Sequence, residues 1–170
     1  MSRLSYQTMQ EIKDTAAQYD NGDYPIRINT IIKLIDKCKL KPYDLPDYVD
    51  AKTVYDPVND YSLILVNQSK LKKIEIPRMR FSIAHEIGHI VLDHLHKPYY
   101  AEMEDEADEF AGCVLMPEDA FLWYHPKARA NIFYVSRAAA HTRAENIKLR
   151  TIFEDFKSNY KFYCMQNIIS

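Results

Sequence analysis

The residues best suited to chemistry in this chain are His85, Glu86 and His89, which form an H-E-x-x-H sequence inside the apolar run 81–92. On an α-helix, residues four apart share a face, so the two imidazoles can converge on one metal ion while the glutamate projects beside them. Two histidines on a helix surface are the plainer interpretation. The apolar flanks argue against it, because a covered pair of imidazoles needs polar partners. The pattern therefore predicts a hydrolytic zinc site.

A catalytic zinc ion takes three protein ligands and keeps one position for water, so the site needs a third side chain. The metzincin pattern is excluded, because Leu92 and Leu95 occupy the positions where that class has its glycine and its third histidine. If the helix continues to His96, then His94 falls on its opposite side and His96 lies about 16 Å along the axis from the first ligand. Both are predicted to be surface histidines.

The third ligand is expected on the next helix, predicted over residues 101–114, where acidic residues flank a buried apolar stripe. Glu104 and Glu106 lie on opposite edges of that stripe, so periodicity leaves both as possible ligands. Glu104 has small alanines beside it, which allow two helices to approach, and it is expected to be the ligand, with Glu106 as the second choice. Asp108 is expected to accept the remaining N–H of a ligating histidine. Three other acidic residues are predicted to face solvent: Glu102, Asp105 and Glu109.

The wider pattern predicts an α+β fold, mostly helical, with one small antiparallel sheet packed beside the helix of the H-E-x-x-H sequence. The sheet is expected from the β-branched and aromatic residues of segment 48–66, with residues 63–66 as the clearest strand. Helices are expected over residues 6–19, 25–41 and 77–96, and in several segments up to residue 157. The chain 1–170 is predicted to be one domain, with N-terminal helices (1–47), a catalytic core (48–158) and a tail of ambiguous structure (159–170).

Composition excludes several classes of function. A net charge of −2 over 170 residues gives no electrostatic attraction to nucleic acid, so no direct nucleic-acid binding is expected. The N terminus lacks an apolar signal segment and no apolar run is long enough to cross a bilayer, so we expect a cytoplasmic protein with no membrane partner. The three cysteines are scattered, which fits neither a disulfide framework nor paired zinc spacing, and they are expected to be ordinary thiols.

The two motif blocks together resemble the gluzincin metallopeptidases and, more closely, the ImmA/IrrE family. The resemblance rests on residues 80–89, on the E-x-x-A-D-x-F-A sequence of residues 104–111 and on the L-M-P sequence of residues 115–117. It is carried less specifically by segments 63–67 and 134–143, and it spans residues 48–149. The resemblance implies that His85, His89 and Glu104 bind zinc, while Glu86 acts first as general base and then as general acid. Manganese or cobalt can replace zinc in such a donor set.

The resemblance also implies a regulatory endopeptidase, because members of the family are associated with cutting a helix-turn-helix repressor at one place. Such a repressor is therefore the expected protein partner. A non-catalytic antirepressor or interaction module containing zinc is the alternative, and a hydrolase acting on a non-peptide bond is a third. The group that stabilises the oxyanion stays open among His125, His141, Arg143 and several tyrosines. An extended substrate is hypothesised to pair with the edge of the strand at residues 63–66.

Overall fold

The computed structural model describes residues 4–71 and 76–166, with side chains through residue 156. The first helix, α1 (Tyr6–Ala17), is capped by Ser5, whose hydroxyl accepts a hydrogen bond from the Thr8 N–H at 3.1 Å. This confirms the predicted N-terminal helix. Its buried face packs against the fourth helix, α4 (Met103–Leu115), and consists of Met9, Ile12 and Ala16.

The second predicted helix is much shorter in the structure than the sequence pattern indicated. Helix α2 (Ile28–Leu34) ends early, and the strand β1 (Cys38–Tyr43) follows it. Lys37 lies between them with a φ of 50°, a left-handed conformation that no helix continues through. The prediction of a continuous helix over residues 25–41 is therefore wrong at its C-terminal end, where half-buried and exposed residues alternate as in a strand.

The sheet contains β1, β2 (Ala51–Asp56) and β3 (Tyr61–Asn67), in the order β1-β3-β2. Strand β3 pairs antiparallel with β2 and parallel with β1. The antiparallel pair confirms the predicted sheet, while β1 adds a strand that the pattern did not reveal. Because β3 is paired on both sides, the hypothesis that an extended substrate adds to its edge is wrong.

The helix that carries the H-E-x-x-H sequence, α3 (Ile76–Val91), ends five residues before the predicted position of residue 96. Asp93 has a left-handed φ of 59°, which turns the chain away from the helix axis. A single turn of 3₁₀-helix (His94–His96) follows. His94 and His96 therefore do not point in the directions that a continuous α-helix would give them.

Three more helices follow α4, namely α5 (Glu118–Trp123), α6 (Pro126–Ile132) and α7 (Arg137–Gln166). Helix α7 covers the side of α4 that carries Glu109, whose side chain is only 1% exposed. The prediction that Glu109 faces solvent is therefore wrong, because α4 packs against α1 and α3 through its apolar stripe and also against α7 through this polar residue. The described residues form seven α-helices and one three-stranded sheet, which confirms the predicted α+β class.

Two further sequence predictions concern cysteines and membranes. Cys38 and Cys113 are free thiols, as expected, and burial raises the pKa of each to about 11. Cys164 lies beyond the described side chains. No helix in the described ranges has the length and apolar character needed to cross a membrane.

Candidate metal centre

The two histidines of the H-E-x-x-H sequence lie one turn apart near the C-terminal end of α3. The Nε2 atoms of His85 and His89 are 3.0 Å apart, and the side chains are 18% and 15% exposed. The opposite face of α3 anchors the helix in the core through Met79, Ile83, Ala84 and Ile87.

Helix α4 brings the third predicted ligand to this pair. The helices approach closely at Gly88, where an added Cβ atom would lie 3.1 Å from the Ala107 Cα atom. Glu104 consequently places one carboxylate oxygen 3.3 Å from His85 Nε2 and the other 3.7 Å from His89 Nε2. One donor atom from each of the three residues lies within 4.8 Å of the others. The structure thus brings together the three side chains that the sequence singled out as ligands.

The second-choice ligand, Glu106, is directed to other partners. Its Oε2 lies 2.9 Å from His94 Nε2 and accepts a hydrogen bond from the Tyr100 hydroxyl at 2.7 Å. The other ring nitrogen of His94 lies 2.9 Å from His89 Nδ1, and the His94 side chain is 2% exposed. The prediction that His94 is a surface residue is therefore wrong, because helical spacing stops applying where α3 ends. His96 is half-exposed, in agreement with its prediction as a surface residue.

Asp108 lies at the predicted place beside the first histidine, with Oδ1 2.7 Å from His85 Nδ1. Burial disfavours the protonated ring of His85, but the hydrogen bond to Asp108 and its negative charge outweigh burial and raise the pKa. Burial and the neighbouring His85 ring lower the pKa of His89. The two rings therefore have different partners at Nδ1: the carboxylate of Asp108 contacts His85, and the imidazole of His94 contacts His89.

Glu86 is held by the edge strand β2. The backbone N–H of Thr53 donates to Glu86 Oε2 at 2.6 Å, and the Thr53 hydroxyl lies 3.4 Å from the Glu86 carbonyl oxygen. These contacts fix the direction of the carboxylate and leave its other oxygen without a contact to this strand. Sequence reasoning missed Thr53, because contacts between a strand edge and a helix follow no periodic pattern.

Comparison with known proteins identifies the family. The sequence profile of Peptidase_M78, described as the IrrE N-terminal-like domain, matches residues 49–150, which is more than half of the chain. The chain belongs to this family. This confirms the resemblance to ImmA/IrrE proteins and gives the chain a metallopeptidase-type domain.

A solved structure of a Mycobacterium tuberculosis transcriptional regulator shares the fold, with a TM-score of 0.57 and 14% sequence identity. The likeness covers 80% of this chain and 45% of that chain, so the present chain spans less than half the length of the regulator. No curated protein matches the sequence.

The donor set fits the metal of a metallopeptidase. Two imidazole nitrogens and one carboxylate oxygen are the ligand types of catalytic zinc sites. His85 and His89 direct their Nε2 atoms at each other and at Glu104, while their Nδ1 atoms contact other residues. Both Nε2 atoms and the Glu104 carboxylate therefore face a common point, which is the arrangement that binding of one cation requires.

One sequence candidate for the oxyanion-stabilising group has a different place in the structure. The Arg143 side chain is 1% exposed and donates to Glu109 Oε1 at 3.0 Å and to the Met116 carbonyl at 3.1 Å. It therefore joins α7 to α4. His141 lines a cavity of about 770 Å³ between α3, α4 and α7, and Asp108 lies on the wall of the same cavity.

Proposed function

We propose that this protein is a cytoplasmic, zinc-dependent endopeptidase that cuts a helix-turn-helix repressor at a specific peptide bond. The observation that carries the proposal is the convergence of three donor atoms within 4.8 Å: His85 and His89 come from α3, which also presents Glu86, and Glu104 comes from α4. Membership of the Peptidase_M78 family supports a protein substrate. The structural likeness to a transcriptional regulator is compatible with a regulatory setting.

The proposed mechanism assigns a separate task to each side chain. His85, His89 and Glu104 hold the metal, which when bound lowers the pKa of a water molecule towards 7 and polarises the substrate carbonyl. Glu86 accepts the proton of the attacking water and delivers it to the leaving amine. The Thr53 N–H holds one oxygen of Glu86, so the other oxygen is free to carry the proton.

The fold favours β2 as the place where an extended substrate segment pairs. The Thr53 N–H points away from β3 and towards Glu86, and alternate residues of an antiparallel pair face the same side, so the Tyr55 N–H also points away from β3. Tyr55→Pro removes this donor without removing a hydrogen bond of the sheet. Tyr55→Ala loses the same side chain and serves as the matched control. Slower cleavage by the proline variant alone supports pairing at β2, and equal cleavage by both variants contradicts it.

The decisive test is a gel assay of the zinc-loaded protein against helix-turn-helix repressors from the organism that carries its gene. The wild-type protein is expected to cut the repressor into discrete fragments. Glu86→Gln is expected to lower the cleavage rate by about 10²–10⁴-fold while zinc stays bound. Glu104→Gln is expected to lose both zinc and cleavage, whereas Glu102→Gln, at an exposed position just before α4, is expected to change neither.

The same assay separates the enzyme from the alternative, a non-catalytic antirepressor. An antirepressor would bind the repressor equally well with glutamate or glutamine at position 86, and neither protein would give fragments. Zinc, manganese and cobalt are compared in the same gel, because the donor set accepts all three and affinity does not decide which metal is used.

A further inference from the structure

The contacts of His94 form a continuous chain from a proposed metal ligand to Glu106 and the half-buried Tyr100. Its Nδ1 lies 2.9 Å from His89 Nδ1, and its Nε2 lies 2.9 Å from Glu106 Oε2. The same carboxylate oxygen accepts a hydrogen bond from the Tyr100 hydroxyl at 2.7 Å. The side chains of His94 and Glu106 are 2% and 16% exposed, so this chain of contacts is largely covered.

The donor and acceptor roles along this chain fit together in one way when the rings are neutral. The carboxylate of Glu106 only accepts, so His94 Nε2 must carry the hydrogen and His94 Nδ1 must be the acceptor. A contact between two ring nitrogens needs one donor, which makes His89 Nδ1 the N–H group. The lone pair of His89 then lies on Nε2, the atom that faces His85 Nε2 at 3.0 Å.

We propose that His94 is a positioning residue that holds the ring of His89 in the tautomer and direction needed to bind the metal. The inference rests on the metal site of the proposed function. Its counterpart is Asp108, which receives the Nδ1 hydrogen of His85 directly. For His89 the Nδ1 hydrogen is accepted by the imidazole of His94, which in turn donates its own hydrogen to the carboxylate of Glu106. Partners of this kind typically change metal affinity by about 10–100-fold when they are removed.

Substitutions at position 94 separate this task from simple packing. His94→Phe keeps an aromatic ring beside Tyr100, with which His94 makes an edge-on contact at 6.0 Å between ring centroids, but it removes both hydrogen bonds. His94→Asn restores an acceptor near the position of Nδ1. His96→Phe is the matched control, because His96 lies in the same short helix, is half-exposed and contacts Asp93 instead of a metal ligand.

The first experiment measures zinc affinity of the full chain by competition with a chromophoric chelator, and unfolding of the metal-free proteins shows that each variant folds. We expect about 10–100-fold weaker binding for His94→Phe, partial recovery for His94→Asn and no change for His96→Phe. Unchanged zinc affinity of His94→Phe would overturn the inference. Equal losses for the phenylalanine and asparagine variants, with both folded, would overturn it too.

The second experiment locates the hydrogen on His89 by ¹⁵N NMR of the metal-free chain. We expect the hydrogen on Nδ1 in the unchanged protein and a mixture of both tautomers in His94→Phe. A hydrogen on Nε2 in the unchanged protein would overturn the inference. If the unchanged chain bound no zinc, the proposed function would fail, while this measurement would still decide the role of His94.

Discussion

Replacing Gly88 with alanine is expected to push α3 and α4 apart at the point where these helices carry the proposed metal ligands. The added Cβ atom would lie 3.1 Å from Ala107 Cα, 3.2 Å from the Ala107 carbonyl oxygen and 3.3 Å from Phe110 Cβ. Two of these atoms are backbone, so no side-chain rotation relieves the contact and α4 must move by a few tenths of an ångström. Overpacking of this kind costs about 1–3 kcal/mol, while alanine stabilises a helix interior by about 0.5–1 kcal/mol relative to glycine. The expected net loss in the free energy of unfolding is therefore about 1 kcal/mol.

Gly112 provides a matched control within α4. A Cβ atom at this position would meet the Cδ atom of Arg143 at 3.6 Å, which is an ordinary contact. Gly112→Ala is therefore expected to raise the free energy of unfolding by about 0.5–1 kcal/mol through helix propensity alone. Urea denaturation of the metal-free proteins measures both variants, and the two are expected to change stability in opposite directions.

The Gly88 substitution is also expected to weaken zinc binding, because the histidines lie on one side of the helix contact and Glu104 lies on the other. We expect about tenfold weaker binding in a chelator competition, comparable with the loss of a supporting contact, and no change for Gly112→Ala. The opposite result would be a Gly88→Ala variant that is more stable than the wild type and keeps its zinc affinity. That result would show that the close approach of α3 and α4 does not position the metal ligands.

Three other predictions concern buried charges and the metal. Glu109→Ala leaves the buried guanidinium of Arg143 without its carboxylate partner, while Arg150 keeps only its pair with Glu118, and the variant is expected to lower the free energy of unfolding by about 3–5 kcal/mol. Glu109→Gln keeps an acceptor and is expected to lose less, and equal denaturation midpoints for Glu109→Ala and the unchanged chain would contradict this account. For Asp50, burial raises the pKa, but the hydrogen bond and charge of Lys70 and the charge of a neighbouring arginine outweigh it, so the pKa lies below its ordinary value of 3.8. Because the pKa is depressed in the folded state, this stabilisation is present above pH 3.8 and is lost as the pH falls through the folded-state pKa, so the stability difference from Asp50→Asn is expected to shrink under acid denaturation. Removing zinc with a chelator is expected to lower the melting temperature, since metal at 100 times its Kd stabilises the folded state by about 2.7 kcal/mol, and identical melting curves would argue against a bound metal.

The convergence of the proposed ligands was predictable because helical geometry determines most of it. The spacing of His85 and His89 fixes their common face, and small residues such as Ala107 indicate that the next helix can come close. The position of His94 beside His89 could not be predicted from helical spacing. Its contact with His89 depends on the left-handed conformation of Asp93, and no periodic pattern describes the chain after such a turn.

For a similar reason, strand β1 was not predicted from the sequence. Isoleucines at helical spacing predict a helix, and they form one in α2 (Ile28–Leu34). The pattern then changes at Lys37, where a left-handed residue separates helix from strand within a few positions. Lysine carries no sequence signal for that conformation, whereas the left-handed Gly22 lies in an Asp-Asn-Gly-Asp sequence, which is typical of a turn.

The acidic run of α4 shows why the partners of a charged segment matter more than its composition. Glu104 faces the two histidines of α3, Glu106 contacts His94, Asp108 contacts His85, and Glu109 binds the buried arginines of α7. Successive residues of a helix point about 100° apart, so neighbouring carboxylates reach different elements of the fold. Glu106 is unsuited to replace Glu104 as a ligand because it is already bound to His94 and a tyrosine. Choosing between two adjacent carboxylates in such a helix therefore depends on which of them already has a partner, and that information lies in the packing of neighbouring elements.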